Sequence, residues 1–126
     1  MKKIFVTDKA PAPVGPYSQA VEFQNLLFCS GQVSIDPQSG EVFKGDVAEQ
    51  TQMVMKNIKA VLDEAGLNFN HVLKTTIFLT DMNDFSKVNE VYASYFPETP
   101  PARSCVEVSA LPKGVNVEVE VLAYRN

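Results

Sequence analysis

The chain has 126 residues, with 11 basic against 15 acidic side chains, a formal net charge of −4 and 45% hydrophobic residues. That length suits one domain with one core, which buries roughly two thirds of the surface its unfolded chain exposes, so folding needs no staple. The acidic balance lacks the basic face on which counterion release from nucleic acid depends, and no nucleic-acid partner is expected.

The segment Met1-Lys2-Lys3-Ile4-Phe5-Val6-Thr7-Asp8-Lys9 carries charge but no apolar run of signal-peptide length. No stretch approaches the ~20 apolar residues of a membrane span. Cys29 and Cys105 are far apart and form no CxxC pair. Two such thiols are expected to stay reduced in a cytoplasmic chain without membrane contact.

Residues 10–16, Ala-Pro-Ala-Pro-Val-Gly-Pro, contain three prolines that lack donors and fix φ, so they predict an ordered loop delivering Tyr17. Residues 18–23 and 26–34 read as extended, and Asp36-Pro37-Gln38-Ser39-Gly40 as a turn. Asp46 with Glu49 fits a capping box. From there Val47, Thr51, Val54, Ile58, Val61, Leu62 and Ala65 recur at steps of three and four, an amphipathic helix stopped by Gly66. Val72 to Thr80 is β-branched and reads as a strand. Asp84 to Phe96 predicts a second helix with a stripe of Phe85, Val88, Val91 or Tyr92, and Tyr95 or Phe96, ending before Pro97. Arg103 to Ser109 and Asn116 to Tyr124 predict strands joined through Leu111-Pro112-Lys113-Gly114.

This order predicts an α+β chain, one mixed sheet with two helices packed on one face. In the last strand Val117, Val119 and Val121 alternate with Glu118, Glu120 and Leu122, so its second face also needs cover, and self-association supplies it.

Arg103 and Cys105 share one strand face, as do Glu118 and Glu120. If Ser109 pairs with Asn116 across the turn, Cys105 opposes Glu120, Glu107 opposes Glu118, and all project to one side. Two readings stand for that set: a cross-strand ion-pair ladder on a solvated face, or a site in which Arg103 forks onto a substrate carboxylate while a glutamate handles water. Tyr17 either presents its hydroxyl or packs at a loop end. Ser30-Gly31 either admits close backbone approach or forms a bulge. Asn89 lies one position off its helix stripe and reads as solvated. His71, the single histidine, reads as surface, which leaves no Ser-His-Asp or Cys-His pair and no zinc site. There is no GxGxxG and no P-loop. Met53 and Met55 read as helix packing.

Six ordered segments extend the reading: Gly15-Pro16-Tyr17-Ser18-Gln19-Ala20, Cys29-Ser30-Gly31-Gln32, Lys74-Thr75-Thr76-Ile77-Phe78-Leu79, Asp84-Phe85-Ser86-Lys87-Val88-Asn89, Pro101-Ala102-Arg103-Ser104-Cys105-Val106-Glu107-Val108 and Val117-Glu118-Val119-Glu120. Together they run nearly the whole chain and resemble the Rid/YjgF family, in its RidA-type branch. The resemblance implies a single domain over residues 1–126, chorismate-mutase-like, assembled as a homotrimer with clefts between subunits. It implies hydrolysis of 2-iminopropanoate and 2-iminobutanoate to 2-oxo acids and ammonia, with no cofactor and no metal. By position, Arg103 looks like the substrate-carboxylate clamp and Cys105 like a backbone contributor whose carbonyl lies near the imine nitrogen. Glu118 looks like the water-orienting carboxylate, and Tyr17, Ser30, Gly31 and Asn89 look like pocket lining. A ligand-sensing regulator or chaperone-like protein using the same cleft is the alternative. Ribonuclease activity is disfavoured by the acidic charge and the lack of a histidine pair.

Overall fold

The computed structural model describes Met1–Asn126. Its elements are β1 (Lys3–Phe5), β2 (Ala20–Phe23), β3 (Leu26–Gln32), α1 (Val47–Glu64), β4 (Val72–Leu79), α2 (Phe85–Ala93), β5 (Ala102–Glu107) and β6 (Val117–Tyr124). The six strands form one sheet in the order β1-β2-β3-β6-β4-β5. Every pairing is antiparallel except β4–β5, which is parallel and carries α2 as its crossover. No helix is long and apolar enough to cross a membrane.

Both helices lie on one sheet face, as the alternation in β6 requires. Val117, Val119, Val121 and Ala123 are buried with Ile77 and Leu79 of β4. They form a single core with Val54, Met55, Ile58, Val61 and Leu62 of α1 and Val88 and Tyr92 of α2. Met55 is core packing as expected.

The ends of α1 divide the expectations. Asp46 is the N-cap, but its side chain makes no capping hydrogen bond, so the Asp46/Glu49 capping box does not form. At the other end Gly66 takes φ 75, its N–H reaches Asp63 O, and Leu67 N–H reaches Leu62 O. This is the Schellman arrangement that glycine makes accessible. The second helix is shorter than residues 84–96. The N–H groups of Ser94, Tyr95 and Phe96 each reach back three residues, and the Ser94 hydroxyl donates to Val91 O. Pro97 explains the tightening, because proline disfavours α-helical backbone in the residue before it. The short β1 goes unsignalled by its Lys-Ile-Phe sequence.

The expected pairing of residues 103–109 with 116–124 is wrong. β4 lies between those strands: Thr75 is opposite Arg103 on one side and Val121 on the other. The physical reason is the βαβ unit. A strand, crossover helix and parallel strand pack compactly in the right-handed sense, which claims β5 for the far side of β4. Residues 108–116 then cross back as a long connection instead of a hairpin.

Buried amides fasten the loops to this frame. Gln19, 2% exposed, accepts from Thr7 N and donates to the carbonyls of Thr7, Ala10 and Pro11. The proline-rich loop is thus wrapped around one side chain. Asn57 of α1 donates to Val33 O and Ile35 O. Gln50 joins Gly45 O and Asn116, whose amide reaches Thr80. At the C-terminus Arg125 pairs with Glu22 at 2.7 Å and donates to Ala65 O.

Leaving buried polar groups without partners costs about 1–3 kcal/mol each. Gln19→Ala strands the Thr7 N–H and three carbonyls, some of which water can reach. We expect about 2–3 kcal/mol of lost stability in urea unfolding at fixed protein concentration. A loss under about 0.5 kcal/mol would show that solvent replaces the amide fully.

Candidate active site

The structure sorts the candidate residues into two groups. The first is built on β5 and α2. Phe85, Asn89 and Tyr92 follow one another at steps of four and three, so they share a helix face. That face meets Arg103. The guanidinium donates to Asn89 Oδ1 at 2.7 Å and lies over the Phe85 and Tyr92 rings at 5.3 and 5.1 Å. Tyr92 is fixed in turn by a 2.7 Å bond between its hydroxyl and the buried Thr75 hydroxyl. Burial pushes the Tyr92 phenol up, against the Thr75 bond and the Arg103 charge.

Arg103 has no carboxylate partner. The two salt bridges of the chain are Lys59–Asp63 and Arg125–Glu22. Its guanidinium is therefore oriented by a neutral amide and two aromatic faces with its charge unspent. Beside it lies a cavity of about 460 Å³ lined by Asn89, Tyr92, Phe96, Pro101 and Arg103. Cys105 follows on the same face of β5, its thiol half-buried against the core. Burial raises that thiol and the Arg103 charge opposes the rise, so it stays protonated near neutrality.

The second group is built on β3 and β6. Between Cys29–Val121 and Gln32–Val119 the pairing advances three residues on β3 and two on β6. Ser30-Gly31 is therefore a β-bulge, one of the two readings its sequence allowed, and bulges re-aim side chains at functional sites. Ser30 ties the bulge to the Tyr17 loop through Oγ to Ser18 O at 2.6 Å and its N–H to Gln19 O. Glu118 lies directly against Gly31. A Cβ there would overlap the carboxylate and come within 2.9 Å of Glu118 Cδ. Tyr17, Ser30, Gly31, Glu118 and Glu120 line a second cavity of about 450 Å³. Tyr17 is half exposed there, not packed away. Burial raises the Glu118 carboxyl above the usual range, and the neighbouring Glu120 charge raises it further.

The two groups lie on opposite sheet faces. Arg103, opposite Thr75, is on the helix side, whereas Glu118 and Glu120 lie opposite Phe78 and Thr76 on the open side. The expectation that all these side chains project to one side is corrected with the strand pairing on which it rested, and no Arg103–glutamate ladder exists within the chain. No three His, Cys, Asp or Glu side chains converge as a metal site.

Residues 7–125 match the sequence family described as Endoribonuclease L-PSP. A RutC family protein of Pyrococcus horikoshii is 55% identical over 125 residues, covering 99% of each chain. The mouse protein named 2-iminobutanoate/2-iminopropanoate deaminase is 48% identical, covering 99% of this chain and 93% of its own. The crystal structure of Escherichia coli TdcF with bound serine superposes with a TM-score of 0.94 at 43% identity, covering 98% of this chain and 99% of that one. The chain belongs to the Rid/YjgF family.

Within this Rid/YjgF chain, the structure brings Arg103, Cys105 and Asn89 together, and separately Tyr17, Ser30, Gly31 and Glu118. Asn89 is no idle solvated residue. Its spacing from Phe85 and Tyr92 was the available signal. The aromatic bed under Arg103 went unread because both rings also satisfy a core stripe. Glu120, Pro112 and Lys113 line the second cavity as well.

Gly31→Ala tests the close approach. Van der Waals contact between carbon atoms is about 3.5–4.0 Å, so the new methyl must drive the Glu118 carboxylate away by about 1 Å or more. A crystal structure of the variant should show the sheet intact and Glu118 swung out. A carboxylate left in place would mean the bulge yields instead.

Proposed function

We propose that this Rid/YjgF chain is a RidA-type deaminase that hydrolyses small 2-imino acids, such as 2-iminobutanoate and 2-iminopropanoate, to 2-oxo acids and ammonia, at sites shared between the subunits of a homotrimer. The observation that carries this reading is the unspent Arg103 guanidinium, held by Asn89 and two rings beside an open cavity.

One chain cannot offer Arg103 and Glu118 to the same ligand, because the sheet separates them. A second copy can. The open face carries Phe28 and Val106, 49% and 42% exposed, an apolar surface that association would cover. Joining the Arg103 side of one copy to the Glu118 side of the next uses two different patches. Such heterologous contacts form a closed ring when the rotation between copies closes, and a three-membered ring is what the family resemblance implies. The mouse deaminase and the serine-bound TdcF support a small amino-acid-derived ligand.

In this reading Arg103 grips the substrate carboxylate bidentately, which fixes the neighbouring C=N carbon. Glu118 of the adjoining copy, raised by burial and by Glu120, takes a proton from water as the oxygen adds to that carbon. The resulting carbinolamine collapses, the proton passes to the departing nitrogen, and ammonia leaves with the 2-oxo acid. Water in and ammonia out balance the reaction. The Cys105 thiol takes no part as a nucleophile. Its strand, at the sheet edge, offers backbone carbonyls to the imine nitrogen.

Mixed assembly provides the test. Arg103→Ala and Glu118→Gln chains, each inactive alone in a semicarbazide-trapping assay coupled to threonine dehydratase, are unfolded together, refolded and assayed. Random mixing leaves about a quarter of the shared sites with both groups native, so activity should return to about that fraction. A site within one chain would recover nothing.

The acid side of the pH profile gives a second prediction. Glu118 must be ionised to accept a proton, and the Glu120 charge holds its pKa up. Glu120→Gln removes that like charge, so the acid limb of kcat/KM should move to lower pH. A limb that stays put, or moves up, would separate Glu118 from the proton transfer.

A further inference from the structure

Lys113 adopts a left-handed backbone, φ 63 and ψ 11, followed by Gly114 at φ 73. Glycine takes that conformation at no steric cost and lysine does not. The other non-glycine residue with positive φ, Gln24, sits in the tight turn joining β2 to β3, where the hairpin demands it. A strained residue beside a cavity invites a reason beyond the turn itself.

Lys113 is exposed yet lines the cavity of Tyr17, Ser30, Gly31 and Glu118, which places it at the rim. A second lysine reaches the same turn. Lys44 Nζ stands 3.2 Å from where a Cβ on Gly114 would be. Neither ammonium pairs with a carboxylate, since the chain's salt bridges lie elsewhere. Glu118, half-buried, and Glu120, exposed, line the same cavity. In a chain of net charge −4, an anion entering here meets two carboxylates and an unfavourable overall field.

We propose that Lys113, backed by Lys44, is a specificity-determining residue that draws anionic substrates into the shared site against the repulsion of Glu118 and Glu120. This rests on the imino-acid reading above and adds to it the selection of negatively charged over neutral ligands. Its action is long-range attraction at the rim, distinct from the bidentate grip of Arg103.

The test uses the assembled protein and four variants: Lys113→Gly, Lys113→Gln, Lys113→Glu and Lys44→Gln. Imine hydrolysis is measured at about 0.01 M and about 0.5 M salt, where the screening length falls from roughly 30 Å to a few ångströms. Binding of 2-oxobutanoate and of its neutral amide is measured by calorimetry. Lys113→Gly should lower kcat/KM about threefold to tenfold at low salt, with the loss carried by KM and fading at high salt. Lys113→Glu should lose more, Lys113→Gln should match glycine, and Lys44→Gln should lose less. The glycine variant should melt no lower than wild type, since it relieves the backbone, and affinity for the neutral amide should not change.

Wild-type kcat/KM in both Lys113→Gly and Lys113→Glu at low salt, with Arg103→Ala still impaired, overturns the inference and leaves the deaminase reading standing. A loss that persists undiminished at high salt also overturns it, because it signals a contact instead of steering. Failure of the wild type to hydrolyse any 2-imino acid overturns both.

Discussion

Side chains of a strand alternate between the two faces of its sheet, and β4 is inserted between β5 and β6. Those two facts govern the rest. Register carries Arg103 to the helix face with Thr75 and Val121, and it sends Glu118 and Glu120 to the other side with Phe78 and Thr76. A shift of one residue in either pairing would reverse an entire strand. The buried valines of β6 forbid that shift, because it would expose four core residues to water and press glutamates against α1. The same hydrophobic pattern that stabilises the core therefore keeps Arg103 and Glu118 apart within one chain, so only a second copy could bring them to one ligand.

Each half is arranged so that its charge stays available. An acid at position 89 would form an ion pair with Arg103 and neutralise it, whereas Asn89 orients the guanidinium through a neutral oxygen. The aromatic faces of Phe85 and Tyr92 attract the cation while leaving its in-plane donors free for a second planar group. Across the sheet, Gly31 lets Glu118 lie against backbone, and no side-chain donor compensates its burial. A carboxylate treated this way is a better proton acceptor than a solvated one, and Glu120 strengthens the tendency. The bulge at Ser30-Gly31 within β3, and the loop bound around Gln19 beside the sheet, hold this half in place.

Much of this was legible in the residues. Three- and four-step spacing located α1, Gly66 marked its end, and the alternation of Val117, Val119 and Val121 with Glu118 and Glu120 revealed a two-faced strand. Three prolines marked the loop that brings Tyr17 to its cavity. Strand partnership was not legible, because chain adjacency favours a hairpin and nothing local in residues 103–124 reports that another strand has taken the place between them. Spacing alone reads Asn89 as solvated, and only the family resemblance places it in the pocket, for a related reason. Its role depends on what packs against the helix, and that partner, Arg103, comes from the strand across the crossover. Local pattern specifies which face a side chain is on; the identity of the neighbour on that face is set by long-range pairing.

The family description Endoribonuclease L-PSP raises RNA cleavage as a chemistry for the same scaffold. Cleavage through a 2′-hydroxyl needs a base and an acid on either side of the phosphorus, with cations for the developing charge. His71, the single histidine, accepts a hydrogen bond from Asn68 N and stacks edge-on against Tyr124. Tyr124 and Glu118 stand at opposite ends of β6, about 20 Å apart at the rise of a strand. Histidine and glutamate therefore cannot serve one phosphate within a chain. Around Glu118 the lining adds a second carboxylate, which repels a polyanion more strongly than it repels a small acid carrying one charge. A lone guanidinium matches a single carboxylate in charge and in the geometry of its paired donors. In the proposed reading, an electrophilic C=N carbon next to that carboxylate asks only for orientation by Arg103 and a modest base such as Glu118.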